Sequence, residues 1–349
     1  MATQTLGAVP PGCRQRLVGH YGPSVEPWLR AAPSLLAEAA ERWKLSLKGY
    51  HDAGHASAVA LATTLDGTPV ILKAWFERLR YRHEIAALTV WADGPTADVI
   101  EAADDLSVAA LELVGDRPGG AAPAGCERQM VAAAIHALHS LGRRRPRPDV
   151  PSLAHFCQKV VMPRIRERVQ HLDLGPWRTL AEEACEGLPA LREDPARTTV
   201  LHADLYRENV IFDRGGHPRL IDPHPLVGDA AFDCAFWTVH YDLEREVTDR
   251  LATAARISRI PVPEITAWCR ALAVDGLLYY REIDDPALPK IAQVLSVLSA
   301  LMTSDLDGEE PQDPDARAIA AKLRMEGGAA VATFGAVAHS PEKKEPPHA

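Results

Sequence analysis

The sequence predicts an α+β chain of two lobes, a small β-rich N-terminal lobe and a larger, mainly helical C-terminal lobe. Three observations predict it. Short apolar runs separated by turn residues fill the stretch from Lys48 to Leu113. Gly115–Gly125 is a loop rich in glycine and proline. Beyond it the apolar residues recur at helical spacing. A chain of 349 residues with 47% hydrophobic content has ample material for the cores this requires.

The elements follow in order. Residues 1–20 are rich in Gly and Pro and are expected to hold little order. Ser57–Thr64 alternates apolar positions as a strand does, Asp66–Gly67 is a turn, and Val70–Trp75 is a short apolar strand. Leu79–Ala92 reads as a helix with Tyr81, Glu84, Leu88 and Trp91 on one face, stopped by Asp93–Gly94–Pro95. Two more strands are expected near Asp98–Ala102 and Ser107–Val114. Met130, Ala134, Ala137, Leu138 and Leu141 form a helical stripe after the linker. Leu153–Leu172 reads as a helix interrupted at Pro163, and Ile265–Tyr280 and Ile291–Met302 as further helices. Residues 198–222 read instead as a loop and a hairpin. The resulting organisation is an N-lobe over 1–114, a linker over 115–125, a helical lobe over 126–326 and a disordered polar tail over 327–349.

Bulk properties narrow the function. A net charge of −9 argues against nucleic acid or an anionic membrane surface as a partner. No apolar run is long enough to span a bilayer, and the first residues lack the apolar segment of a signal peptide, so a cytoplasmic protein is expected. The six cysteines include no C-x-x-C pair and read as reduced thiols.

The chemistry is concentrated in Leu201–Pro223, which carries His202, Asp204, Asn209 and Asp222 in the order H-x-D-x-x-x-x-N, hairpin, I-D. A four-residue hairpin loop, Arg214–Gly–Gly–His217, would place Asn209 opposite Asp222, close enough to share a hard cation. Magnesium takes oxygen donors, often one or two from the protein with the rest from phosphates and water. Asp204, in the loop entering the hairpin, would reach a hydroxyl poised for attack. In the first lobe, Lys73 sits in an apolar strand and needs a counter-charge, which the inward-facing Glu84 can supply.

These residues resemble the catalytic and metal-binding loops of the aminoglycoside phosphotransferase family, relatives of the protein kinases. The resemblance implies a protein-kinase-like fold, ATP and Mg²⁺ as cofactors, a catalytic Asp204, and Asn209 and Asp222 on the metal. It implies that Lys73 and Glu84 hold the ATP phosphates, and that Gly49–Ser57 covers them, with Gly54 and the Ser57 hydroxyl contributing. Leu111–Glu112–Leu113–Val114 resembles the hinge whose backbone pairs with adenine. His202–Ala203–Asp204 stands where protein kinases have His–Arg–Asp, and Ile221–Asp222–Pro223 replaces Asp–Phe–Gly. Leu226–Trp237 matches the family's Gly–Asp and Phe–Asp, so Asp229 and Asp233 are expected to buttress the catalytic loop. Asp66–Gly–Thr–Pro69 before the lysine and Leu220–Ile–Asp–Pro–x–x–Leu–Val–Gly228 are most similar to the streptomycin 6-kinase and hydroxyurea-resistance branch. That implies an aminoglycoside-like, cationic small-molecule acceptor and antibiotic resistance. Asp233, Asp275, Glu282, Asp284 and Asp285 are candidate carboxylates for such a pocket. A metabolic kinase of the same fold, acting on choline, homoserine, an amino sugar or a fructosamine, is the alternative. A catalytically silent binding module leaves the full set of Lys73, Asp204, Asn209 and Asp222 without purpose. A hydrolase built on His202, Asp204, His217 and His224 leaves Lys73 and Glu84 unexplained.

Overall fold

The structure is a computed structural model, and it describes residues 6–52, 56–145, 148–188, 191 and 193–306. The N-lobe is a five-stranded antiparallel sheet in the order β1-β2-β3-β5-β4. Its strands are β1 (Ser46–His51), β2 (Ser57–Thr63), β3 (Pro69–Trp75), β4 (Val99–Ala103) and β5 (Val108–Glu112). Two helices precede it, α1 (Pro11–Tyr21) and α2 (Glu26–Arg42), and α3 (Arg78–Val90) is inserted between β3 and β4. Where the composition of residues 1–20 led us to expect little order, α1 buries Cys13 and Leu17 against α2 and the sheet. Two apolar side chains four residues apart are enough for a short helix to dock.

The two faces of the sheet have different occupants because side chains alternate along a strand. Ala60, Ala62, Val70, Leu72, Ala74, Val108 and Ala110 form one face and pack under Leu36, Ala39 and Ala40 of α2. Lys73 and Trp75 therefore point the other way, toward α3 and the second lobe. Lys73 lies between Val59 and Ala109 in the strand register, and the short Ala109 leaves room for its stem.

The C-lobe is helical. It comprises α4 (Glu127–Arg144), α5 (Leu153–Phe156), α6 (Met162–His171), α7 (Arg178–Gly187), α8 (Ala231–His240), α9 (Val247–Ser258), α10 (Val262–Glu282) and α11 (Leu288–Leu306). One core cluster runs through it and reaches Trp75, Tyr81 and Trp91 of the N-lobe. The expected break at Pro163 is a widened turn over Cys157–Val161, where Met162 N–H reaches back to the Cys157 carbonyl. Pro163 has no N–H to continue the ordinary ladder and its ring crowds the preceding turn, which a wider turn relieves. Two two-stranded ribbons lie on this lobe. β6 (Thr198–Leu201) pairs with β9 (Leu226–Asp229), and β7 (Val210–Phe212) pairs with β8 (Pro218–Leu220). The ribbons join the lobes: Leu220 N–H donates to the Pro95 carbonyl and Ala121 N–H to that of Phe212.

The β7–β8 register differs from expectation by one residue. Val210 faces Leu220 and Ile211 faces Arg219, so Asn209 lies opposite Ile221, whose N–H donates to its carbonyl. Asp213 and His217 close the hairpin around three residues, not four, and Gly216 ends the loop at φ 75°. That left-handed residue is what a three-residue hairpin loop requires. A Cβ there would also stand 2.4 Å from the Ala124 nitrogen.

Candidate active site

A cleft of about 680 Å³ lies between the lobes, with Ser57, Lys73 and Arg80 on the N-lobe side and Asp204, Asn209 and Asp222 facing them. Lys73 Nζ is 2.6 Å from Glu84 Oε1 and 2.8 Å from Asp222 Oδ1. Glu84 is fixed from its other oxygen by Trp75 Nε1 at 2.8 Å. Lys73 and Glu84 are both buried, so each would be costly alone. Burial pulls the lysine pKa down, but Asp222 and Glu84 outweigh it and hold it above its ordinary value. Burial raises Glu84, against the opposing pull of Lys73. Burial also pushes Asp222 up, yet the charges of Lys73 and Arg80 win and its carboxyl stays below the usual range.

The catalytic-loop segment is shaped by Asp233, which is fully buried at the start of α8. Its two oxygens accept the backbone N–H groups of His202 and Ala203, each at 2.8 Å, and meet His139 Nε2 at 2.9 Å. Ala203 is thereby held at φ 56°, and Asp222 sits at φ 55°. Left-handed backbone is unfavourable for alanine and is concentrated at functional sites. His202 is buried and stacks on Trp91 at 6.3 Å; burial pushes its pKa down to about 4.

Asn209 Nδ2 donates to the Asp204 carbonyl at 2.8 Å and to its carboxylate Oδ2 at 2.9 Å. Both partners are acceptors, which orients the amide and leaves Asn209 Oδ1 free to turn toward another ligand. That oxygen and the Asp222 carboxylate, half exposed to the cleft, are a hard donor pair suited to a magnesium ion that takes its remaining oxygens from phosphate and water. Among the described residues no group of three His, Cys, Asp or Glu side chains offers a metal cage. Burial pushes Asp204 up to about 7, opposed by the charge of Arg80 and the Asn209 bond.

Other expectations fare differently. Ser57 is buried in the cleft wall, whereas Gly54 lies outside the described residues. At the hinge, Val114 is buried and the Glu112 carboxylate pairs with Arg219 of β8, which leaves their backbone groups as the part that could meet adenine. Asp233 supports the catalytic loop and is sealed from any acceptor. Asp229 instead caps α8 through Ala231 N–H and pairs with Arg197. Asp275 lines the cleft but is bound by Arg164 and Arg168, and Glu282 by Arg168. The Asp285 carboxylate accepts Ala287 N–H in the turn before α11, and Asp284 is exposed and absent from the lining. Sequence reasoning missed Arg80, His139, Arg164 and Arg168. Arg80 was within reach, since it lies one helical turn before Glu84 and shares its face. The other three needed the packing of distant helices. All six cysteines are free thiols; five are buried as expected, and Cys126, in the linker end before α4, is exposed.

A five-stranded lobe over a helical lobe, with a lysine–glutamate pair and an Asp–Asn–Asp set across the cleft, defines a phosphotransferase of the protein-kinase-like class. Solved structures share the fold. A choline/ethanolamine kinase family protein from Mesorhizobium loti superposes with a TM-score of 0.54 at 16% identity, covering 85% of this chain and 99% of that one. An aminoglycoside 2'-phosphotransferase-IIIa, solved as its GDP complex, superposes with a TM-score of 0.52 at 12% identity, covering 78% of this chain and 98% of that one. Residues 42–276 match the family described as aminoglycoside/hydroxyurea antibiotic resistance kinase, and the chain belongs to it. It is similar to streptomycin 6-kinase of Streptomyces griseus, 27% identical over 64% of this chain and 72% of the relative. It is also similar to streptomycin 6-kinase of Streptomyces glaucescens, 25% identical over 84% and 99%. The protein is a kinase with an alcohol group as acceptor. Among the described residues no helix is long and apolar enough to cross a membrane.

Proposed function

We propose that the protein transfers the γ-phosphoryl group of ATP to a hydroxyl of a small organic molecule, with Asp204 as the base. The observation that carries this is the convergence of Lys73, held by Glu84 on the N-lobe side, with Asp204, Asn209 and Asp222 across the cleft. Lys73 binds phosphate oxygens and is kept charged and aimed by Glu84. Asn209 and Asp222 would hold Mg²⁺, which would supply charge screening for the phosphates. Asp204 orients the acceptor hydroxyl and takes its proton as the acceptor oxygen bonds to the γ-phosphorus. The bond from that phosphorus to the bridging oxygen breaks, and ADP leaves. A pKa near 7 suits this work, because proton transfer is most efficient when the base titrates near the working pH. Most of the catalysis is positioning and charge neutralisation, as loose phosphoryl-transfer transition states require.

The names of the relatives favour an aminoglycoside acceptor and a role in antibiotic resistance. A cationic acceptor of that kind would meet Glu208 and Asp204, lining carboxylates that no arginine or lysine holds in an ion pair, unlike Asp275 and Asp222.

The test is ADP release over a panel of aminoglycosides, cyclitols, amino sugars and amino alcohols, with Asp222→Ala as the comparison. The wild-type chain should turn over ATP with at least one acceptor, and Asp222→Ala should abolish turnover while keeping a native melting transition. Wild-type turnover in the variant removes the assignment of Asp222.

A further inference from the structure

Four lysine and arginine side chains line the cleft: Lys73, Arg80, Arg164 and Arg168. Three of them are committed to carboxylates. Lys73 is held by Glu84 and Asp222, Arg164 by Asp275, and Arg168 by Asp275 and Glu282. Arg80, half-buried on α3, forms no ion pair among the described residues. It lies in the first turn of α3, one helical turn before Glu84, so the two side chains share a face. For the helix alone this is a poor place for a cation. The first turn carries the positive end of the helix dipole, and here it holds no acidic residue to offset the charge. Behind Arg80 stands Tyr21 of α1, whose hydroxyl donates to the Ala56 carbonyl at 3.1 Å; burial raises that hydroxyl's pKa, and the charge of Arg80 opposes the rise.

Arg80 also acts on both carboxylates across the cleft while bonding neither. Burial lifts Asp204, and the charge of Arg80 is the largest influence opposing it. Burial lifts Asp222 too, and Arg80 adds to the stronger pull of Lys73 that brings it down. The γ-phosphoryl group passes between these two carboxylates. The acceptor oxygen bonds to phosphorus, Asp204 takes the hydroxyl proton, and the bond to the bridging oxygen breaks with its electron pair going to ADP. Throughout, the three equatorial oxygens carry negative charge. We propose that Arg80 is a further catalytic residue, a guanidinium supplied from α3 that donates to the equatorial oxygens of the γ-phosphoryl group in transit. A guanidinium offers parallel N–H donors to such oxygens, and Arg80 breaks no ion pair to do so. This role rests on reading the cleft as a kinase site.

The test compares the wild-type chain with Arg80→Gln and Arg80→Lys, both substitutions that a helix accepts readily. Calorimetric titration with magnesium and either ADP or the non-hydrolysable ATP analogue AMP-PNP separates a contact to the γ-phosphoryl group from a structural effect. Arg80→Gln should bind ADP as the wild type does and AMP-PNP about tenfold more weakly, the worth of one charge-assisted contact. Its kcat for ADP release, with whichever acceptor of the panel above turns over fastest, should fall about 10²–10³-fold, as when one donor to a transition-state oxyanion is removed. Arg80→Lys keeps the charge without the fork and should fall between. Equal weakening of ADP and AMP-PNP, or a kcat in Arg80→Gln close to that of the wild type, overturns the role of Arg80 and leaves the kinase reading standing. A wild-type chain that releases no ADP with any acceptor overturns both.

Discussion

Replacing Asp233 by asparagine isolates what the buried carboxylate does for the catalytic loop. The side chain has no solvent access and serves three donors: His202 N–H and His139 at one oxygen, Ala203 N–H at the other. An amide has one acceptor oxygen. Placed toward His202 and His139, it turns its NH₂ against Ala203 N–H; turned over, it strands the other two donors. At least one buried donor is left unpaired in either pose, at about 1–3 kcal/mol. The bonds that survive lose their charge assistance, roughly 1 kcal/mol each. The sum is about 3–5 kcal/mol, a large share of the 5–15 kcal/mol typical of a folded domain. The loss has a direction as well. Ala203 at φ 56° is held there by this contact, and alanine regains about 1–2 kcal/mol by leaving the left-handed region. Relaxation at Ala203 moves Asp204, the next residue. Urea denaturation should therefore show a stability loss of about 3–5 kcal/mol. Steady-state kinetics well below the midpoint should show kcat reduced at least about tenfold and KM for ATP little changed, since Lys73 and Asp222 do not touch Asp233. A variant with wild-type stability, or one that is destabilised but has normal kcat, would refute the coupling of this carboxylate to the position of Asp204.

Two further outcomes are expected. Asp204 titrates near 7 in the folded protein and near 4 when unfolded, so the folded state binds the extra proton between those values, and stability is lost as pH rises through 7. Urea midpoints of the metal-free protein should fall from pH 5 to pH 8 by more in the wild type than in Asp204→Asn, and that variant should lose about 10²–10⁴-fold in kcat with ATP affinity kept. Equal pH dependence in both would show that Asp204 is not the raised carboxyl. Glu84→Gln leaves Lys73 and Trp75 competing for one amide oxygen in a buried site, and should cost about 3 kcal/mol of stability and raise KM for ATP, measured with the acceptor saturating; an unchanged KM would free Lys73 from any need of Glu84.

The two lobes, the strand lysine and the catalytic segment were legible in the sequence because each is a local pattern. Alternation along Val70–Trp75 fixes which face Lys73 takes, and helical spacing puts Glu84 with Tyr81 and Trp91 on the buried side of α3. The spacing sets Asp204 in the loop that enters the hairpin, five residues before Asn209, but the bond between them appears only in the folded loop. What the sequence missed depends on residues far apart in the chain. The three-residue hairpin loop, one residue shorter than the spacing suggests, puts Asn209 opposite Ile221 instead of Asp222, and its amide bonds Asp204. Charge counting marked Asp275 and Glu282 as open carboxylates, and only the packing of α6 on α10 shows them bound to Arg164 and Arg168, more than a hundred residues away in sequence. Local periodicity determines which side of an element a residue occupies. Which charge meets it there is decided when the helices pack, because an ion pair depends on distances that no spacing along the chain encodes.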